Sequence, residues 1–165
     1  NNNMENSIIK LILNPTDIEL SLETIKTYQI FISYIKNKFE NKEYLENSLK
    51  MFIPYFDTNS KIYNEDVAIE AIHVISALII AAYDYMQPHF KNFSAFLLTL
   101  CNGKSEKLAI QAYIVFTEVA NEEYEKLIEI SHKDNAYEII PNEYEFDETE
   151  NIVTLNTAWF VLNTK

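Results

Sequence analysis

Three histidines and one cysteine are the first candidates in this sequence for binding a transition metal or for acting as an activated nucleophile. His73, His89 and His132 are far apart, and no two have the i, i+4 spacing that places metal ligands on one helix face. Cys101 closes the apolar run FLLTLC, as a small core residue does. We therefore expect no metal site, no cofactor and no enzymatic activity.

The carboxylates are more informative, because several of them cluster. Glu118, Glu122, Glu123 and Glu125 fall near the C-terminal end of a predicted helix, where the helix dipole disfavours negative charge by a few tenths to about 1 kcal/mol. The whole chain has 25 acidic and 13 basic residues, a formal net charge of -12. Such a surface repels nucleic-acid phosphates and attracts basic proteins. We expect a basic protein partner and no direct nucleic-acid binding; a merely solvated acidic face is the alternative.

Composition indicates which elements must position these residues. Of 165 residues, 48% are hydrophobic, and only one is Gly and four are Pro, so tight turns and phosphate-binding glycine loops are disfavoured. This favours an all-α fold with a single core or a repeated one. A single cysteine fits a reducing compartment. The longest apolar run, near residues 74–82, is too short to span a bilayer, so we expect no membrane insertion.

A repeated phrase organises the chain. VAIEAI at Val67 returns as LAIQAY at Leu108, with looser copies LSLETI at Leu20 and VTLNTA at Val153. The third residues of the copies are spaced by 47, 41 and 45 positions. The first three copies along the chain are each expected to open a long helix, over 16–39, 65–86 and 105–127. Each of these long helices follows a shorter amphipathic one, over 5–13, 42–56 and 88–101. Helical pairs at this period predict a HEAT or armadillo type α-α superhelix.

Longer segments resemble one family. The chain resembles the importin β (karyopherin β) nuclear import receptors, at low identity over almost its whole length. The best matched features are the YMQP junction that begins at Tyr85, the AIQAY opening at Ala109 and the ANEE end at Ala120. The resemblance implies a single HEAT array over 1–165, an internal fragment of a longer receptor, with units of about 5–39, 42–87, 88–130 and 131–165. It also implies binding to Ran-GTP, to importin α or other basic cargo and to phenylalanine-glycine (FG) nucleoporins, in cytoplasm, nucleus and nuclear pore.

The resemblance also implies two surfaces. On the outer side, an FG-binding site between consecutive short helices would involve Leu49, Phe52, His89, Phe93 and Leu97, whose alternative role is plain core packing. On the inner side, the acids facing cargo or Ran would be Glu118, Glu122 and Glu123, together with a thinned acidic loop at Asp147, Glu148 and Glu150. The alternative function is that of a HEAT scaffold subunit in another complex, of the phosphatase or coat type.

Overall fold

The computed structural model describes residues 2–133, and every regular element in that range is helical. The α-helices are α1 (Asn2–Leu13), α2 (Ile18–Ile35), α3 (Lys42–Lys50), α4 (Glu65–Met86), α5 (Phe90–Cys101) and α6 (Glu106–Lys133). Short 3₁₀ helices lie at Lys36–Glu40, Ile53–Phe56 and Gln87–His89. The predicted all-α class is confirmed for the described residues. The predicted fourth unit, 131–165, lies outside them except for the end of α6.

The long helices begin where side chains cap free backbone amides. Asp17 accepts a hydrogen bond from the Leu20 amide at 2.7 Å before α2, and Asn64 caps α4 at the amides of residues 66 and 67. The Ser105 hydroxyl accepts from the Leu108 amide at 3.2 Å before α6. Each bond satisfies a donor that has no partner within the helix. The predicted starts of α4 and α6 are confirmed to within a residue, and Asp17 is the residue that caps α2.

The helix ends differ from the prediction. The first long helix ends at Ile35 rather than at residue 39, and the 3₁₀ helix Lys36–Glu40 continues from it. The second short helix is divided into α3 and the 3₁₀ helix Ile53–Phe56. α6 runs to Lys133, six residues beyond the predicted end. These boundaries determine which side chains reach the surface between successive helical pairs.

The three long helices form one layer in chain order. α4 packs between α2 and α6, while α1 packs on α2, α3 on α4 and α5 on α6. Ala68, Ala71 and Ala112 are fully buried, so these small side chains allow neighbouring helices to approach closely. Near its end α4 is kinked at Ala82, whose φ of -143° and ψ of 38° lie outside the helical range. Each long helix therefore packs on a neighbouring long helix and on the short helix that precedes it.

One helical stretch corrects the expectation that no apolar segment is long enough to span a bilayer. Glu65–Cys101 is long and apolar enough, by length and composition, to cross a membrane. However, 56% of its most apolar window is buried inside the structure, and core helices of soluble proteins pass the same test. Since α4 lies within this stretch and packs between α2 and α6, packing in the core accounts for its apolar character.

Candidate functional site

An apolar groove lies between α3 with its following 3₁₀ helix and α5. Its volume is about 390 Å³, and Val74 and Ile75 of α4 contribute to its lining. The other apolar lining residues are Leu49, Phe52, Ile53, Phe56, Phe93 and Phe96, and the polar ones are Glu46, Lys50, His89 and Asn92. The groove thus lies between two consecutive helical pairs. Its size is within the range of small-ligand pockets, and its walls are mainly aromatic and aliphatic.

Four of the five residues predicted for the outer site line this groove: Leu49, Phe52, His89 and Phe93. Leu97 does not line the groove, and its side chain, which is 2% exposed, belongs to the core. Phe52 is equally buried, so it is a core residue as well as part of the groove wall. Ile53, which sequence reasoning missed, lines the groove and is 64% exposed. Its signal was weak in the sequence, because an exposed isoleucine beside Pro54 shows no helical periodicity.

Aromatic contacts hold the walls of the groove in place. The rings of Phe56 and Phe96 meet edge to face across it, with centroids 4.9 Å apart. Phe52 is buried and packs on Tyr28 of α2 at 5.4 Å and on Tyr55 at 6.4 Å. Each such pair contributes about 0.5–1.5 kcal/mol beyond area burial. The groove is therefore a preformed surface that can receive another aromatic or aliphatic side chain.

A second, acidic groove lies on α4 and α6. Its volume is about 290 Å³, and its charged lining residues are Asp84, Glu122, Glu125, Lys126 and Glu129. Burial raises the pKa of Glu122, and the nearby carboxylates of Glu118 and Glu125 raise it further. No ion pair joins Glu118 or Glu122 to a lysine within the described residues. This part of the surface can accept positive charge.

Not all of the predicted acids are available on this surface. The Glu123 carboxylate accepts a hydrogen bond from the Tyr83 hydroxyl, so it is engaged inside the contact between α4 and α6. Lys126 pairs with Asp84 and lies over the ring of Tyr83, 4.6 Å from its centroid. Asp147, Glu148 and Glu150, predicted as an acidic loop, lie outside the described residues.

His73 has a role that sequence reasoning did not identify. Its Nδ1 is 3.2 Å from Glu70 Oε2 and its Nε2 is 2.9 Å from Gln111 Oε1. Gln29 Nε2 donates to the same Glu70 oxygen at 2.7 Å. This polar chain links α2, α4 and α6. No group of three metal-ligating side chains occurs among the described residues.

Cys101 is half-buried, and burial raises the pKa of its thiol despite a hydrogen bond with Tyr113. A raised pKa disfavours the thiolate, which is the nucleophilic form. The described residues form two grooves, one apolar and one acidic. No family model, curated protein or solved structure matches this sequence.

Proposed function

We propose that this chain is part of a nuclear transport receptor of the importin β type, built from HEAT-like helical pairs. In this proposal it works by reversible binding in the cytoplasm, in the nucleus and at the pore. The order of packing supports it: three long helices lie side by side, each with its short helix. The resemblance of the YMQP, AIQAY and ANEE segments supports it independently.

The observation that carries the proposal is the apolar groove between consecutive short helices. The resemblance selected five residues without reference to any cavity, and four of them, Leu49, Phe52, His89 and Phe93, line one. In the proposed function the groove receives a phenylalanine side chain from an FG nucleoporin. Burying one phenylalanine contributes about 1.5–3 kcal/mol, less than the roughly 4 kcal/mol of a 1 mM Kd. Each contact is therefore weak, and association depends on several repeats binding together.

The experiment is an NMR titration with a peptide that carries several FG repeats. Ile53→Asp places a charge in the groove, and because Ile53 is largely exposed the fold should persist. The matched control is Ile30→Asp on α2, where the isoleucine is 68% exposed and does not line the groove.

We expect shifts of amide resonances in α3 and α5, an affinity at least about tenfold weaker in Ile53→Asp and no change in Ile30→Asp. A peptide with serine in place of phenylalanine should not bind. If both variants bind like the original chain, the groove is not an FG site. Leu97→Asp is unsuitable as a probe, because Leu97 is buried in the core.

The acidic groove supports the second half of the proposal, the binding of basic cargo segments, of importin α or of Ran-GTP. Glu122 and its acidic neighbours create a negative electrostatic potential, which attracts a Lys-rich and Arg-rich segment. Reversing Glu118 and Glu122 to Lys should weaken binding of a basic peptide by no more than about tenfold, since exposed pairs contribute about 0–1 kcal/mol each. It should also flatten the salt dependence of association.

The matched control reverses Glu19 and Glu23 to Lys on α2, which makes the same change in net charge away from the acidic groove. Equal loss of binding in the two double variants would mean that only net charge matters. Failure to bind both the FG peptide and the basic peptide would instead favour a scaffold function.

A further inference from the structure

The acidic groove on α4 and α6 already holds a cation that belongs to the chain itself. The Lys126 ammonium pairs with the Asp84 carboxylate and lies over the ring of Tyr83, 4.6 Å from its centroid. The face of an aromatic ring attracts a cation at this distance, and an ionised carboxylate beside it adds a charge-assisted hydrogen bond. The Lys126 head group thus stands in for the ligand that this position accepts, a primary ammonium or a guanidinium.

The ring of Tyr83 is held in place by contacts that do not involve Lys126. Its hydroxyl donates a hydrogen bond to the Glu123 carboxylate, and its ring packs on that of Phe90 with centroids 5.2 Å apart. In contrast, the side chains of Lys126 and Asp84 are 32% and 72% exposed. Because ion pairs with this much exposure are weak, the Lys126 head group can leave while the ring stays in position.

One lysine does not balance the carboxylates around it. Asp84, Glu122, Glu125 and Glu129 line the groove, and Lys126 is the basic residue among them. Burial, followed by repulsion from neighbouring carboxylates, raises the pKa of Glu122. The groove therefore keeps a negative potential and attracts a further cation even when Lys126 is in place.

The lysine is not part of the packing that successive long helices share. By the spacing of the repeated phrase, Lys126 of α6 corresponds to Tyr85 of α4, and Asp84 of α4 corresponds to Asn37. Both of these residues are neutral, yet α4 packs on α2 as it packs on α6. Contact between long helices thus does not require this ion pair, which leaves Lys126 free for a role in the groove.

We propose that Tyr83 and Asp84 form a binding site for one lysine or arginine head group of a basic partner segment, and that Lys126 occupies this site until the partner displaces it. The proposal rests on the binding function proposed above for the acidic groove, and it adds the subsite and its internal competitor. Since Lys126 is tethered to α6, it competes at a high effective concentration. A weak surface contact leaves the site free for roughly a tenth to a third of the time, which reduces the apparent affinity of a partner to that fraction of its intrinsic value.

The experiment is an NMR titration of the full chain with hexalysine at low salt. Lys126→Met keeps an unbranched side chain and removes the charge, so hexalysine should bind about three- to tenfold more tightly than to wild type. The matched control is Lys107→Met on the same helix, where the lysine pairs with Glu65 outside the groove and the change in net charge is the same. It should change the affinity by less than about twofold. In wild type, the Hε resonances of Lys126, which the Tyr83 ring shifts, should move towards those of free lysine as hexalysine binds.

A second substitution locates the site. Asp84→Asn added to Lys126→Met should cancel the gain, and because Asp84 is largely exposed the fold should persist. A gain no larger in Lys126→Met than in Lys107→Met would overturn the internal competition and leave the binding function of the groove standing. Absence of binding both to wild type and to Lys126→Met would overturn the two together. Lys126→Gln removes the same charge without adding apolar surface, so the test does not depend on the folding of the methionine variant.

Discussion

Replacing Glu5 by Gln tests what holds α1 against the following helices. Glu5 is buried, and its carboxylate accepts hydrogen bonds from Lys38 Nζ and from the Tyr44 hydroxyl, both at 2.5 Å. Burial alone would raise the pKa of Glu5, but the two hydrogen bonds and the charge of Lys38 outweigh it and lower the pKa below 4.5. The ionised form is therefore the one that stabilises the fold.

The expected loss follows from these contacts. Gln keeps one acceptor oxygen and has an NH2 group in place of the other, so one of the two bonds is lost and the other loses the carboxylate charge. With about 1.5–3 kcal/mol for a hydrogen bond to a charged group and about 0.5–1.5 for a neutral one, the loss is roughly 2 kcal/mol or more. Lys38 is 42% exposed, so solvent screens part of its attraction and the estimate falls to about 1–2 kcal/mol. At about 2–4 °C for each kcal/mol in a chain of this size, Glu5→Gln should melt about 2–8 °C lower at neutral pH.

The assay is thermal unfolding from neutral to acidic pH, with Glu23→Gln as the control. Glu23 pairs with Lys26 at the surface and should contribute about 0–1 kcal/mol. Because the folded pKa of Glu5 is depressed, its stabilisation is present above the unfolded value of 4.5 and is lost as the pH falls through the folded pKa. The difference between wild type and Glu5→Gln should shrink in that window. A Glu5→Gln loss no larger than that of Glu23→Gln, or one that stays constant in acid, would refute the reasoning.

Four further substitutions test helix packing, a buried hydrogen bond and the acidic groove through their effect on stability. Ala112→Leu should overpack the contact between α4 and α6 and lower the unfolding free energy by about 1–3 kcal/mol. Ala109→Leu should cost less, because Ala109 is half-buried. Tyr55→Phe should cost about 1–3 kcal/mol by leaving the buried Ile12 carbonyl without its 2.5 Å bond, with helicity unchanged at low temperature. Because the folded pKa of Glu122 is raised, its charged form destabilises the fold above pH 4.5. Glu122→Gln should therefore raise the free energy of unfolding by about 0.2–0.5 kcal/mol at neutral pH and leave it unchanged in acid.

Helix starts were predictable because each depends on one local side chain. Asn64 and Ser105 stand before apolar-periodic segments, and each accepts backbone hydrogen bonds where the sequence indicates a cap. The end of α2 was not predictable in this way. Phe39 is buried like a helical core residue, yet it lies in a 3₁₀ helix that continues the same apolar periodicity. Apolar spacing reports burial, and burial does not distinguish the two kinds of helix.

The sequence also did not predict how deeply each residue on one apolar helix face is buried. Phe93 and Leu97 are four residues apart on α5 and share an apolar face, yet Phe93 lines the groove while Leu97 is in the core. Which of them reaches the groove depends on where α3 and the Ile53–Phe56 3₁₀ helix lie, and this depends on packing between pairs. Likewise, the sequence shows Glu123 only as one more acid of a cluster. In the structure its carboxylate accepts a hydrogen bond from the hydroxyl of Tyr83, which directly follows the kink at Ala82.

Both grooves lie where successive pairs meet, and α4 contributes to each. Val74 and Ile75 line the apolar groove, and Asp84, just past the kink, lines the acidic one. Neither groove is formed by a single helical pair, so a motif search within one pair finds at most one wall. The spacing of the pairs depends on the buried alanines of the long helices and on the polar chain through His73. The residues that shape the two grooves are therefore partly those that set the distance between helices, and these carry no chemical signature of binding.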